Sequence, residues 1–437
     1  MASKYLTSAS VAIESVFASV DPATGIPSPA GLTFSQLELA DRTQVVFSGD
    51  PTITEDAGPR TGPWSRPGEL ATVLDGSGNV IQRRGGTFSL PIPLRSGLTE
   101  AGGTSALWKL LLGGMDAFHE PADGTSDTTV APTSTTTWTA TDGGKYVDRP
   151  LLVGVESSGR WDYAPISNRV VNAITTALAL QADPGAAKTL RLLATAGIAS
   201  VGMPTPDTLA FDLRGDGWQE YAFGCRPTRY LFAMEPESRR MTLTVDVNVA
   251  YFQAVAVPSA PVEVVPTGGG IDHQIQSYIA FGPLHSDDGV PDTLSAEARS
   301  LTVCVDALEM EVNLTNAFPG CGESIVGKSA PEVTDATVEL RLTLGGVLNA
   351  PGSATGVDAQ FWSRQMRQIL VGFASGQPGS DNNGACLWLP SAYLSTDPAK
   401  LDSGAERLRQ VLTFKAGPPA LDGAGNYLPV VAVGVGA

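Results

Sequence analysis

The stretch Met241–Tyr251, MTLTVDVNVAY, decides the fold class. Met241, Leu243, Val245, Val247, Val249 and Tyr251 fall on one face of an extended chain. Thr242, Thr244, Asp246 and Asn248 fall on the other. A period of two is the signature of a half-buried β-strand. The same grammar recurs along the chain. Phe88, Leu90, Ile92 and Leu94 alternate with Thr87, Ser89, Pro91 and Pro93, and the two prolines place this strand at an edge or a bulge. Further on, Leu308, Met310, Val312 and Leu314 oppose Glu309, Glu311 and Asn313 within Leu301–Leu314. In Ala336–Leu344, Val338, Leu340, Leu342 and Leu344 oppose Thr337, Glu339, Arg341 and Thr343. Leu32 to Phe47, Trp218–Phe232, Leu387–Leu389 and Gln410–Phe414 also read as strands.

Two helices punctuate this pattern. Thr104 or Ser105 caps the first, which carries Leu107, Trp108 and Leu110 to Leu112 and stops at Gly113-Gly114. Asp358 caps the second, with Phe361, Trp362, Met366, Ile369, Leu370 and Phe373 on its stripe. Strand, turn and apolar helix therefore occur twice, over Gly86–Met115 and Ala336–Ala374, an internal duplication of pattern. Gly49–Gly68 reads as a long exposed loop, and Asp123–Ala140 as a loop running into a strand at Trp138. Leu151–Pro204 is open between a strand, a helix at Asn168–Gln181 and an inserted subdomain. The Pro- and Gly-rich segment Val257–Gly270 is the best linker. The expected organisation is thus residues 1–260, with a possible insertion at 151–204, and residues 261–437.

The composition narrows the function. Charged residues make up 17% of 437, low for a soluble domain and suited to a surface covered by sister copies. The net charge of −17 is spread without runs, which disfavours a positive groove for nucleic acid. The sequence opening lacks a secretory pattern, and no apolar stretch is long enough for a membrane span. A soluble product of the cytoplasm is expected.

Chemistry is sparse. Cys225, Cys304, Cys321 and Cys386 form no CxxC pair and read as reduced thiols; no metal spacing exists. Only His119, His273 and His285 are present, and no GxSxG occurs, so no catalytic residue is assigned. Asp212 to Gly217 loosely matches a calcium loop but lacks its closing carboxylate; a tight Asp216-Gly217 turn is the better reading. Gly268 to Gly270 lacks the Lys-Ser/Thr of a phosphate loop, and Cys321 reads as a turn residue. Carboxylates on strand faces remain: Asp246, Glu309, Glu311 and Glu339. A solvated sheet face is one reading of them.

A second reading comes from a resemblance. SVAIESVFASVDPATGIPSP (10–29), the loop and strand RPGELATVLDGSGNVIQRRGGTFSLPIPL (66–94) and the helix SALWKLLLGGM (105–115) resemble the opening of tail tube (major tail) proteins of long-tailed bacteriophages. Residues 217–252, 301–318, 386–394 and 408–417 resemble that family's later strands in order and character. The resemblance implies a mainly β chain with two tail-tube-type β-sandwich or half-barrel domains, each flanked by a helix. Such domains join into a continuous β-barrel around a channel. Two tube domains per chain imply trimeric, pseudo-hexameric rings, with a hexamer as the alternative. The rings stack into the conduit for a tape measure protein and for the genome, and meet terminator and tail-tip proteins in the virion. Asp246, Glu309, Glu311 and Glu339 would then face a lumen through which DNA passes unbound, repelled by carboxylates. No cofactor, enzymatic activity or membrane insertion is implied. The alternatives are another tail or capsid component (terminator, adaptor or decoration protein) and a carbohydrate-binding β-protein. Trp108 and Trp362, placed on helix stripes at core spacing, speak against the last.

Overall fold

The computed structural model describes residues 4–14, 43–47, 51–56, 73–74, 80–81, 85–94, 99–100, 103–120, 126–132, 137–140, 151–157, 160–176, 188–200, 207–234, 241–254, 278–283, 305–317, 332–344, 366–374, 384–397, 401–402, 409–419 and 427–436. The fold is mainly β, with antiparallel pairing throughout the described strands. The first part contributes β1 (Lys4–Tyr5), β2 (Ser8–Ile13), β3 (Thr43–Val45), β4 (Thr52–Asp56), β5 (Val73–Leu74), β6 (Val80–Ile81) and β7 (Gly85–Pro93). Next come β8 (Thr99–Glu100), β9 (Gly103–Thr104), helix α1 (Ala106–Leu112) and β10 (Asp116–His119). Six strands follow: β11 (Ser126–Pro132), β12 (Thr137–Thr139), β13 (Leu152–Ser157), β14 (Arg160–Val170), β15 (Ala173–Thr176) and β16 (Lys188–Leu192). The chain returns through β17 (Ala194–Ile198), β18 (Leu209–Gly215), β19 (Trp218–Met234), β20 (Met241–Val249) and β21 (Tyr251–Ala254). It ends with β22 (Tyr278–Pro283), β23 (Val305–Ala317), β24 (Glu332–Leu344), β25 (Arg367–Ala374), β26 (Gly384–Leu394), β27 (Leu401–Asp402), β28 (Arg409–Ala416) and β29 (Val431–Val435).

The alternating stretches become strands as read. The even-odd split of β20 is a strict buried and half-buried alternation from Met241 to Val249. Phe88, Leu90, Ile92 and Leu94 are buried together. Pro91 and Pro93 pair with Thr244 and Thr242 of β20, but lie past Phe88, the last β7 residue that β4 reaches. Residues two apart direct their amides to the same side, so the missing N–H groups fall where β4 demands none. Helix α1 starts at Ser105, whose Oγ accepts from the Trp108 amide, and ends at Gly113. Gly217, at φ +73°, makes the expected Asp-Gly turn between β18 and β19.

Several expectations are corrected. Thr52–Asp56, inside the supposed loop at 49–68, is β4, paired with β7. Ser126–Pro132, read as loop, is β11. The second helix is not formed over Arg367–Ala374, which is β25, paired with β22 and β26; positions 358–365 lie outside the described residues. Among the described residues, the second unit therefore continues from β24 into a strand and not into a helix. Within 151–204, the helix at Asn168 gives way to β14 and β15. The linker at 257–270, the strand residues Leu32 to Leu39, and His273 and His285 also lie outside the described residues.

Strands β11 to β16 close a small barrel in the order β11-β12-β15-β14-β13-β16. Its own core holds Trp138, Val153, Val155, Ala164, Ile166 and Ile174. The barrel is inserted between β10 and β17, which pair with each other. In the tight β14–β15 turn, Val171 sits at φ +55° and is exposed. A β-branched side chain in the left-handed region costs about 1–2 kcal/mol. Val171→Asn, which suits that region, is expected to raise thermal stability by about 1 kcal/mol; an unchanged or lower melting point would contradict it.

The remaining strands repeat one topology. In residues 4–254, β4-β7-β20-β19 lie side by side, and β2-β18-β19-β21 share the other half of the long strand β19. In residues 278–436, β23-β24-β28-β26 lie side by side, and β22-β25-β26-β29 share β26. The two sets correspond in chain order and in spatial order. They meet at β19 against β23, where Arg229 opposes Asn313 and Ala233 opposes Glu309. One hydrophobic core spans both, from Leu90 and Val245 to Leu340, Leu387 and Val433.

Candidate functional site

The inner face of β4-β7-β20-β19-β23-β24-β28 is sealed by Leu, Val, Phe and Tyr side chains, so the other face takes the polar residues. Register brings the four singled-out carboxylates onto that polar face. Asp246 on β20 lies opposite Arg229 on β19. On the other side of β19, Leu231 lies opposite Glu311 and Ala233 opposite Glu309. Across the next pair, Glu309 faces Arg341 and Glu311 faces Glu339, which in turn faces Lys415 on β28.

Two like charges directly opposed across a sheet repel. Here each of the pair is drawn to its own cation. Arg229 Nε donates to Glu311 Oε1 at 2.6 Å, and its Nη1 donates to Asp246 Oδ2 at 3.2 Å. Lys415 Nζ stands 3.6 Å from Glu339 Oε2, and Arg341 Nη1 stands 3.9 Å from Glu309 Oε2. The two hydrogen-bonded carboxylates hold the Arg229 guanidinium above its ordinary value, against a desolvation that lowers it. In these described ion pairs, four carboxylates thus meet three cations.

The sequence identified the carboxylates but not their partners. Arg229 sits in the aromatic run YAFGCRPTRYLF, where alternation is broken by a register shift between Pro227 and Arg229. That shift turns Arg229 onto the polar face while Tyr230 points inward. An open hollow of about 740 Å³ borders the ladder where β28 ends; Glu311, Glu339, Lys415, Asp335, Tyr393 and Val430 are among its lining residues.

Arg229→Met removes the one cation between Asp246 and Glu311. Because both ion pairs are about one-third exposed, the expected cost is about 0.5–1 kcal/mol, smaller at high salt. Urea unfolding at low and high salt checks this; a salt-independent deficit would assign the loss to packing instead.

Elsewhere, Cys225 and Cys386 are buried free thiols, and burial raises both well above the usual thiol range. Asp212 is buried with Arg214 and Gln219, both of which donate to it, which makes a structural cluster. Among the described residues, no group of His, Cys, Asp and Glu could hold a metal ion. No described helix is long and apolar enough to cross a membrane. No protein-family model matches the chain, and no curated protein matches it.

Proposed function

We propose that the chain is a structural virion protein, a tail tube subunit of a long-tailed bacteriophage, and not an enzyme. The observation that carries this reading is the duplicated four-stranded order joined edge to edge at β19 and β23. Two equivalent units per chain suit three chains around a six-unit ring, with stacked rings forming the conduit for a tape measure protein and for DNA. In this reading the polar face, with Asp246, Glu309, Glu311 and Glu339, lines the channel.

The ion-pair ladder refines the electrostatic part. Free carboxylates would repel phosphate, but these are matched by cations. What keeps DNA from sticking is the commitment of the cations: Arg229 spends two of its donors on two carboxylates, whose charge outweighs its own toward a phosphate. The lumen is then non-adhesive and not strongly repulsive. Negative-stain microscopy of the purified protein is expected to show hollow filaments about 10 nm wide, the scale of such β-rings. A monodisperse monomer that never assembles, or rings that never stack, would overturn the reading.

A further inference from the structure

We infer that the outer edge of β4 is the docking site for β26 of a second copy, and that β1 is a removable cover on that edge. The inference rests on the tube reading above and names the contact between its subunits.

The internal repeat supplies the geometry. β23, the first strand of the second set, receives β19, the fourth strand of the first. By correspondence, β4 should receive a β26. Lys415 opposite Tyr393 takes the place of Asp246 opposite Arg229. Ile53 opposite Phe88 takes the place of Val312 opposite Val338. Carried over to the observed junction, Tyr393 would face Thr54 of the neighbour, Leu394 would face Ile53, and Ser395 would face Thr52.

Burial agrees at each described position. Leu394 and Tyr230 are buried, as are Ile53 and Val312. Tyr393 and Arg229 are half-buried, and Thr54 and Asn313 are exposed. The facing sides are therefore already apolar inward and polar outward, and pairing in this register continues the sheet without turning a side chain over.

The two edges differ in their present cover. Past Ala392, β26 pairs with β28 on one side, and among the described residues no strand lies against its other side. On β4, that place is held by β1, through Lys4 opposite Ile53 and Tyr5 opposite Thr52. The Leu6 amide adds a 3.1 Å bond to the Pro51 carbonyl. Just beyond, Thr7 donates to the Arg214 carbonyl at 2.7 Å and fixes the chain onto β18, so β1 can leave with Thr7 as its pivot. A two-residue strand guards an edge that would otherwise pair with any exposed strand. The junction at β19 and β23 has five residue pairs, so a neighbour replaces the cover with a longer ladder.

The test uses the full chain. Protein carrying Thr54→Cys is mixed with protein carrying Tyr393→Cys, assembled, mildly oxidised, and cross-links are located by mass spectrometry. The mixture is expected to give a covalent dimer through those two positions, and neither variant alone should do so. Hollow filaments without this cross-link overturn the junction and leave the tube reading standing. The cross-link in a preparation that never forms tubes does the reverse. For the cover, Tyr5→Cys with Thr52→Cys should block assembly when oxidised and permit it when reduced. Deletion of residues 1–5 should lower the concentration at which assembly begins by about tenfold, worth one or two net hydrogen bonds. Equal assembly of the oxidised and reduced forms removes β1 from the mechanism.

Discussion

Replacing Tyr230 with Ala is expected to lower stability by about 3–5 kcal/mol, the range for deleting a fully buried large side chain. Tyr230 is wholly buried on β19, between the sheet and the end of α1. Its hydroxyl donates to the Leu110 carbonyl at 2.7 Å and to the Leu111 carbonyl at 3.2 Å. Leu111 already accepts from the Gly114 and Met115 amides at 3.1 and 2.9 Å, so the bond to Leu110, in the last turn of this short helix, is the one that matters most. Tyr230→Phe isolates that part and should cost about 1–2 kcal/mol. A Cβ on Gly114 would lie 2.6 Å from Tyr230 Oη and 2.7 Å from Leu314 Cδ1, so Gly114→Ala should perturb the same joint. Urea unfolding decides: a Tyr230→Ala variant within 1 kcal/mol of the parent would show that the helix is not anchored there.

Trp388→Ala should cost a similar amount, about 3–5 kcal/mol, through a different joint. Trp388 lies in a cluster with Leu152, Tyr163, Leu193, Leu370, Leu428 and Ala432, which ties the small barrel to β25, β26 and β29. Tyr163 donates from its hydroxyl to the Phe373 carbonyl across the same seam at 3.0 Å. The Trp388 indole N–H is buried without a hydrogen-bond partner. Trp388→Phe keeps most of the apolar contact and removes that orphaned donor, so it should lose far less. Hydrogen exchange adds a readout: amides of Val153 and Val155 should exchange faster in the Ala variant. Unchanged exchange and stability would mean that the barrel is held elsewhere.

Strands with one wet face were legible in the sequence. β7, β20, β23 and β24 carry the alternation because one side must be apolar and the other polar. β17, β25, β26 and β29 were harder. In β25, Leu370 faces the barrel seam while Ile369, Val371 and Phe373 face the main core. β17 and β29 are buried at every position. Burial on both faces erases the period of two, and a run such as RQILVGFA then suits a buried helix equally well. The second helix was misplaced over β25 for that reason.

The duplication was visible in outline and wrong in detail. Inward positions correspond as hydrophobic to hydrophobic: Ile53 and Val312, Leu90 and Leu340, Val245 and Phe414. Outward positions do not: Asp246 corresponds to Lys415, Ser89 to Glu339, and Arg229 to Tyr393. Packing constrains the first set, whereas solvent accepts any polar residue in the second, so identity between the halves vanishes while topology persists. The candidate carboxylates were found because each lies on a cleanly alternating strand. Their neutralisation was not, because cross-strand partners far apart in sequence depend on register.

The paired stalk of β10 and β17 has a practical consequence. His119 opposite Thr195 and Asp116 opposite Gly197 bring the entry and exit of the small barrel side by side. Any foreign domain whose two ends lie close together could be spliced at that point without lengthening the host's own strands. A scaffold that displays enzymes or epitopes at regular intervals would start from this pair of residues.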